Sequence, residues 1–354
     1  MDPISRVVAA GAAGAGGAAG AALYVDDVFS TYLYDGTGAN QTITNGIDLS
    51  GEGGLVWIKR RSALDPHQLY DTERGANKLL RGDRTNAEVT SFSDLLTSFN
   101  SNGFSLGVDS GGFGTNPSSS TMVSWTFRKA PGFFDVVTYA GNSTARTIPH
   151  SLGSVPGMII VRAYDATNNW YVWHNAISAV NNEFLQLNST IGTQDTGSDE
   201  WNSTEPTSTN FSVGTDGNVN LTGRNYIAYV FAHDDQSFGT DSNEAIIKCG
   251  SYTGNGSSSG PVVNLGFEPQ FIITKNTTGT GNWYIFDVMR GVPVGGNPQT
   301  LAAQSTGGEE DASWAHIDIT PTGFQIKNTN GNLNTSGSNY IYIAIRRPHK
   351  PPEA

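Results

Sequence analysis

Carboxylates, a serine in a suggestive motif, histidines and aromatics are the side chains of this sequence that could do chemistry. Carboxylates cluster at Asp26/Asp27, Asp234/Asp235 and Glu309/Glu310/Asp311. A hydrolytic acid and base need two carboxylates across one cleft, and neighbours in polar stretches read instead as exposed loops. Ser258 is central in "GSSSG" (256–260), the text of a nucleophile elbow, yet no apolar strand leads into it and no helix pattern follows. The histidines, His67, His150, His174, His233, His316 and His349, lack the H-x-x-x-H or HExxH spacing of metal ligands. "TDGN" (215–218) reads as a hairpin turn rather than a fragment of a calcium loop. The sequence is therefore read as non-enzymatic, with no catalytic residue, metal or cofactor.

Aromatics can stack on the apolar C–H faces of sugars. Trp170 in "NNWYVW" and Trp283 in "GNWYIF" occupy matching places and read as core. Trp201 in "SDEWNSTEP" and Trp314 in "EDASWAH" stand among polar residues. Both are expected to be exposed, as glycan- or partner-binding candidates.

The chain that must position these residues has 354 residues, 43 glycines, 15% charged and 10% aromatic residues. Gly and Asn tolerate turn dihedrals and weaken helices, so short strands joined by tight polar turns are expected. A formal charge of −12 with no basic stripe argues against nucleic-acid binding. Cys249 is the single cysteine, which excludes an intrachain disulfide and a cysteine zinc cluster. Asp2 and the glycines of the opening segment argue against a secretory signal, and no run approaches the roughly 20 apolar residues of a membrane span. A soluble protein, without membrane insertion, is expected.

The chain repeats itself. "YLYDGTG" (32–38), "VTYAGNS" (137–143) and "GSYTGNG" (250–256) each set a tyrosine two residues before a glycine. The runs "GGLVWIKRR", "PGMIIVRAY" and "PQFIITKNT" follow, with a base at one shared position: Lys59, Arg162 and Lys275. Phe104, Phe211 and Phe324 come next in small-residue contexts, and "TMVSWTFRK", "NYIAYVFAH" and "NYIYIAIRR" close the copies. The tyrosines step by 105 and 113 residues and the phenylalanines by 107 and 113, so order and spacing persist together. Within each copy, short alternating apolar runs bounded by Gly, Pro, Asn or Asp read as strands. In the last run Ile341, Ile343 and Ile345 face one way and Tyr340, Tyr342 and Ala344 the other. The expected fold is all-β: three tandem jelly-roll-like β-sandwich modules at 24–131, 132–240 and 241–354, after an Ala/Gly-rich anchor at 1–23. An immunoglobulin-like sandwich is the second choice.

"VDDVFSTYLYDGTGANQTITNGIDLSGEGGLVWIK", "VSWTFRKAPGFFDVVTY", "LGSVPGMIIVR" and "YIAIRRP" together resemble a family of structural, tail-fibre-like virion proteins of marine tailed phages, notably those of cyanobacteria. The resemblance spans nearly the whole chain and carries over no catalytic residue. It implies a virion component with tandem β modules and leaves open whether it sits on the tail or the head. The expected role is a virion structural protein of a tail appendage, attached by its N-terminus, with other virion proteins as partners and host-surface or glycan recognition as a second role. Head decoration, a glycan-degrading enzyme and a secreted adhesin are the alternatives. Gly11, Gly14, Gly17 and Gly20 fall on a three-residue period that suits close packing of extended chains about a threefold axis. A helix packed on a partner or a tether are the other readings of that segment. Modules of this size hide only part of their apolar surface, and with the glycine period this leads to an expected homotrimer.

Overall fold

Strands form where the apolar runs stand, and chain turns gather where Gly, Asn, Asp and Pro replace them. The computed structural model describes residues 22–197 and 199–351; the Gly11, Gly14, Gly17 and Gly20 period lies outside the described residues. The first unit contains β1 (Phe29–Gly36), β2 (Gln41–Thr44), β3 (Gly54–Arg60), β4 (Gln68–Asp71), β5 (Leu80–Arg81), β6 (Leu96–Asn100), β7 (Gly103–Leu106) and β8 (Ser120–Arg128). The second has β9 (Phe134–Ala140), β10 (Arg146–Pro149), β11 (Pro156–Ala163), β12 (Tyr171–His174), β13 (Leu185–Gln186), β14 (Asn210–Val213) and β15 (Asn225–Ala232). The third has β16 (Ile247–Thr253), β17 (Val262–Asn264), β18 (Pro269–Asn276), β19 (Trp283–Asp287), β20 (Gln299–Ala302), β21 (Glu310–Asp311), β22 (Ile317–Thr320), β23 (Gly323–Ile326) and β24 (Asn339–Arg346). Three single turns of helix complete the described elements: α1 (Val25–Val28), α2 (Gly217–Asn220) and α3 (Gly331–Asn334).

The strand order recurs. The large sheets run β1-β8-β3-β4-β5, β9-β15-β11-β12-β13 and β16-β24-β18-β19-β20-β21, and the small sheets β2-β7-β6, β10-β14 and β17-β23-β22. In every unit the first strand pairs with the last and the second with the last but one. This is the nested pairing of a jelly roll, while the strands between stay as hairpins in their own sheet. Phe104, Phe211 and Phe324 pair across the small sheets with Ile43, Ile148 and Val263. Gly103 and Gly323, one residue before the first and third phenylalanine, have φ of 146° and 159°, and a Cβ there would lie 1.9 Å from the carbonyl oxygens of Ile43 and Val263. Asn210 holds that place in the second unit, whose small sheet has two strands among the described residues.

Each large sheet is apolar on both faces. Val56, Ile58, Tyr70 and Met122 turn inward onto the small sheet of the first unit with Ile43, Leu96 and Phe104. Leu55, Trp57, Leu69, Val123, Trp125 and Phe127, on the opposite face, join Phe231, Phe271, Ile273, Ile341, Ile343 and Ile345 in one core shared by all three units. Tyr340, Tyr342 and Ala344 turn the other way, into the third unit's own sandwich. The three units thus close around their large sheets. Aromatic contacts cross between units, among them Phe127 to Phe231 at 5.6 Å and Phe29 to Phe271 at 5.4 Å.

Surface area agrees with this closure. The chain exposes 13989 Å², about what one globule of its mass exposes, whereas three separate modules would expose about 18,500 Å². The difference is about 1,500 Å² for each of three seams, the size of a specific protein interface. The apolar faces from which a homotrimer is expected are covered within the chain itself.

One asparagine holds each sandwich end. Asn116 accepts from the Thr37 N–H and donates to the carbonyls of Ala39 and Gly107. Asn220 accepts from Asn142 N–H and donates to Thr144 and Gly214. Asn334 accepts from Asn255 N–H and donates to Ser257 and Asn328. The "TDGN" segment differs from the expected hairpin turn: Asp216 caps α2 by accepting the Asn218 N–H at 2.7 Å, and the turn leads to Asn220. Its counterpart Asn330 caps α3 in the same way. Because all three amides are fully buried, Asn334→Ala is expected to strand one N–H and two carbonyls and to cost about 3 kcal/mol. Thermal melting of the full chain checks this, and a change under about 0.5 kcal/mol, ordinary for a surface site, would contradict it.

Candidate functional site

The repeat aligns Lys59, Arg162 and Lys275 at the far ends of β3, β11 and β18, where an exposed base would be ordinary. All three are buried, and each reaches into another unit. Lys59 Nζ donates to the Thr306 carbonyl at 3.1 Å, Lys275 Nζ to Thr190 at 3.1 Å, and Arg162 Nη1 to Arg84 at 2.7 Å. The direction is cyclic: first unit to third, third to second, second to first. Burial lowers Lys59 and Lys275 to about 8 and Arg162 to about 9. Beside each cation, backbone pairs repeat the pattern: Asp65 N–H to Thr306 O, Asn168 to Thr85, Gly281 to Thr190. The return bonds run from Glu309 to Arg61, Glu88 to Tyr164 and Thr193 to Thr277.

A second layer uses ring nitrogens. Trp170 Nε1 donates to Arg81 O at 3.0 Å and Trp283 Nε1 to Gln186 O at 2.9 Å. His67 takes the same position one residue before β4, and its Nε2 contacts Ala302 O at 3.1 Å. Its Nδ1 accepts the Trp57 indole N–H at 2.9 Å, so the neutral ring carries its proton on Nε2. Burial holds His67 well below the usual histidine range, in keeping with that tautomer.

A third layer comes in two chemistries. In the first unit Asp71 pairs with Arg74 at 2.6 Å and Arg74 with Glu88 at 3.1 Å, while Tyr229 Oη of the second unit donates to Asp71 Oδ2 at 2.9 Å. In the third unit Asp287 pairs with Arg290 at 2.5 Å and Arg290 with Glu309 at 3.5 Å, while Trp125 Nε1 of the first unit donates to Asp287 Oδ2 at 3.0 Å. Burial alone would lower Arg74, but Asp71, Tyr229 and Glu88 outweigh it and raise its pKa. At the seam between the second and third units the corresponding residues are His174, Ile177, Thr193 and Ile343. His174 Nε2 there meets the Tyr342 carbonyl at 3.0 Å, and burial lowers its pKa to about 4.

These groups hold modules together, and the other chemical candidates have structural partners or lie in exposed loops. Asp26 accepts the backbone N–H groups of His349 and Lys350, and Asp27 caps Tyr24 N–H, so this pair ties the C-terminal tail to α1. Glu309 accepts from Arg61 at 2.9 Å. Asp234 pairs with Lys248 at 3.1 Å, and Asp235 accepts the Ser237 N–H at 3.0 Å. Ser258 is exposed in the loop between β16 and β17. Cys249 is buried, and burial alone pushes its thiol pKa up. Among the described residues no group of three His, Cys, Asp or Glu side chains is placed to hold a metal ion, and no helix is long and apolar enough to cross a membrane.

Trp201 departs from its expected exposure. It is 2% exposed, and its Nε1 donates to Glu183 O at 3.0 Å. Its backbone N–H also donates to Asn182 Oδ1 at 3.0 Å, so the polar segment docks the ring on the stretch before β13. Trp314 is half-buried, its ring 4.7 Å from that of Tyr284. The structure does not bring the two tryptophans together. An open groove of about 410 Å³ runs between β9 and β10, lined by Glu73, Lys129, Tyr139, Arg146, His150 and Ser151. Sequence reading missed the seams, although strands such as "FIITKN", buried at every position, signal a sheet covered on both faces.

The profile of a family described as a domain of unknown function, DUF7483, matches residues 25–348. The chain belongs to that family. The DUF7483 match spans all three units and both linkers. No curated protein matches the chain. A solved structure described as the crystal structure of the STIV MCP matches 61% of this chain and 92% of its own, at 9% identity and a TM-score of 0.17, a likeness that carries no argument.

Glu200 is a buried carboxylate that takes part in none of these seam contacts. Its Oε2 has no hydrogen-bond partner, and burial, then Asp216, Asp195 and Asp199, raise it from 4.5 to about 7. The folded state therefore holds this proton more tightly than the unfolded chain. The stability it contributes is complete below about pH 4.5 and lost as pH rises through 7. Glu200→Gln should melt close to wild type at pH 5 and several degrees higher at pH 8. A difference in melting temperature that does not change with pH would contradict this assignment.

Proposed function

We propose that this protein is a non-enzymatic structural component of a phage virion, part of a tail appendage, attached through the segment before α1. The observation that carries the reading is the commitment of a repeated set of buried ionisable and aromatic groups to seams between repeated β-sandwiches. Lys59, Arg162, Lys275, Asp71 and Asp287 are each consumed by contacts between units, which suits a rigid body that bears load. The resemblance to tail-fibre-like proteins of marine tailed phages supports the same reading. Of the two aromatic candidates, Trp314 is the one that stays partly exposed and is therefore kept as the glycan candidate. Other virion proteins are the proposed partners; head decoration is the alternative placement.

Labelling of purified particles with an antibody to residues 24–351, read by electron microscopy, tests this. Signal on the tail is expected. Signal on the head would move the protein to the alternative placement, and particles without signal would refute a virion role. Deleting residues 1–21 should leave the melting temperature within about 2 °C of wild type and abolish incorporation. Normal incorporation of the truncated chain would overturn attachment through that segment.

A further inference from the structure

The seams differ in a way that pairs faces. Each unit has an acceptor face on its fourth strand and the loop after it, and a donor residue at the centre of its last strand. Register places the three donors at one position: Trp125 opposite Trp57, Tyr229 opposite Ile160 and Ile343 opposite Ile273. Asp71–Arg74–Glu88 receives Tyr229, and Asp287–Arg290–Glu309 receives Trp125. The acceptor face that lacks acid and arginine, with His174, Ile177 and Thr193, meets β24 at Tyr342, beside the donor position that lacks a polar hydrogen, Ile343, which shares its core with Ile177. The two departures meet at the same seam.

We propose that this pairing is a matching code, in which the faces of the second and third units fit each other and thereby fix the order in which modules close, against the reversed order and against rings of like modules from several copies of this chain. In the reversed order Ile343 faces Asp71 and Arg74, and Trp125 faces His174 and Ile177. A buried carboxylate then loses its donor, and a buried indole N–H gains no acceptor. The third unit pairing with its own kind sets Ile343 against Asp287, and the second unit with its own kind sets Tyr229 against Ile177. Each mismatch leaves a polar group unpaired in the shared core, where the penalty is largest. A buried polar pair that selects register at some cost in stability is an established use of such groups.

The test converts one seam to the other type in the full chain. Ile343→Tyr alone and the triple change His174→Asp, Ile177→Arg, Thr193→Glu alone should each lower the melting temperature by 5 °C or more. All four changes together should recover at least half of the combined loss. Refolded from denaturant and sized by light scattering, the four-change chain, whose seams are all alike, should yield heavier or misassembled species absent from wild type. Should the triple change fail to fold, the converse set applies: Trp125→Ile, alone and with Asp287→His, Arg290→Ile and Glu309→Thr. Additive losses in either set would overturn the matching. Recovery of stability with a refolded mass distribution identical to wild type would overturn the role in ordering.

Discussion

A sheet that is apolar on both faces cannot stay half covered in water, and most of this structure follows from that constraint. In each unit the small sheet covers one face of the large one. The other face, with Trp57 and Phe127 in the first unit and Phe271 and Ile343 in the third, has no cover within its own module. Joining three such faces gives each unit its second cover. The area removed from water is about that of three specific interfaces, worth far more than any single polar contact described above.

Closure carries a polar cost, and the sequence meets it three times with the same device. Strand ends that would be wet in an isolated module become buried at the seams, so their bases and ring nitrogens need acceptors. Backbone carbonyls of the neighbouring loop supply them: Thr306, Thr190 and Arg84 for the cations, and Ala302, Gln186 and Arg81 for the rings. Carbonyl acceptors place no second charge in the core, which limits desolvation to one ion. Where two or three charges do meet, at Asp71–Arg74–Glu88 and Asp287–Arg290–Glu309, a hydrogen-bond donor from the next unit completes the carboxylate. The linkers connect the first unit to the second and the second to the third. The remaining seam is tied at its open end by Asp26 and Asp27 on His349 and Lys350.

Much of this was legible in the sequence. Strand alternation assigned Ile341, Ile343 and Ile345 to one face and Tyr340 and Tyr342 to the other, because a period of two survives any tertiary context that buries both faces. The matched phenylalanines were legible because the small sheet demands a large apolar group beside a close backbone crossing. The partners of Lys59, Arg162 and Lys275 were not legible: a base at a strand end looks the same whether water or a neighbouring carbonyl awaits it. Trp201 was misread for a related reason. Composition reports the polarity of a segment, and a polar loop can bury its aromatic against another segment, as Trp201 does on the Glu183 carbonyl here. Glu200 gave no signal at all, since a lone carboxylate in an acidic stretch reads as solvated.

The central claim is that three modules of one chain close on each other rather than lying in a row. Small-angle X-ray scattering collected behind a sizing column, on fractions of monomer mass, tests it most directly. A closed body of this length is expected to have a radius of gyration of about 20 Å. A value near 30 Å, that of about three separate modules of 13 Å each strung end to end, would contradict the account.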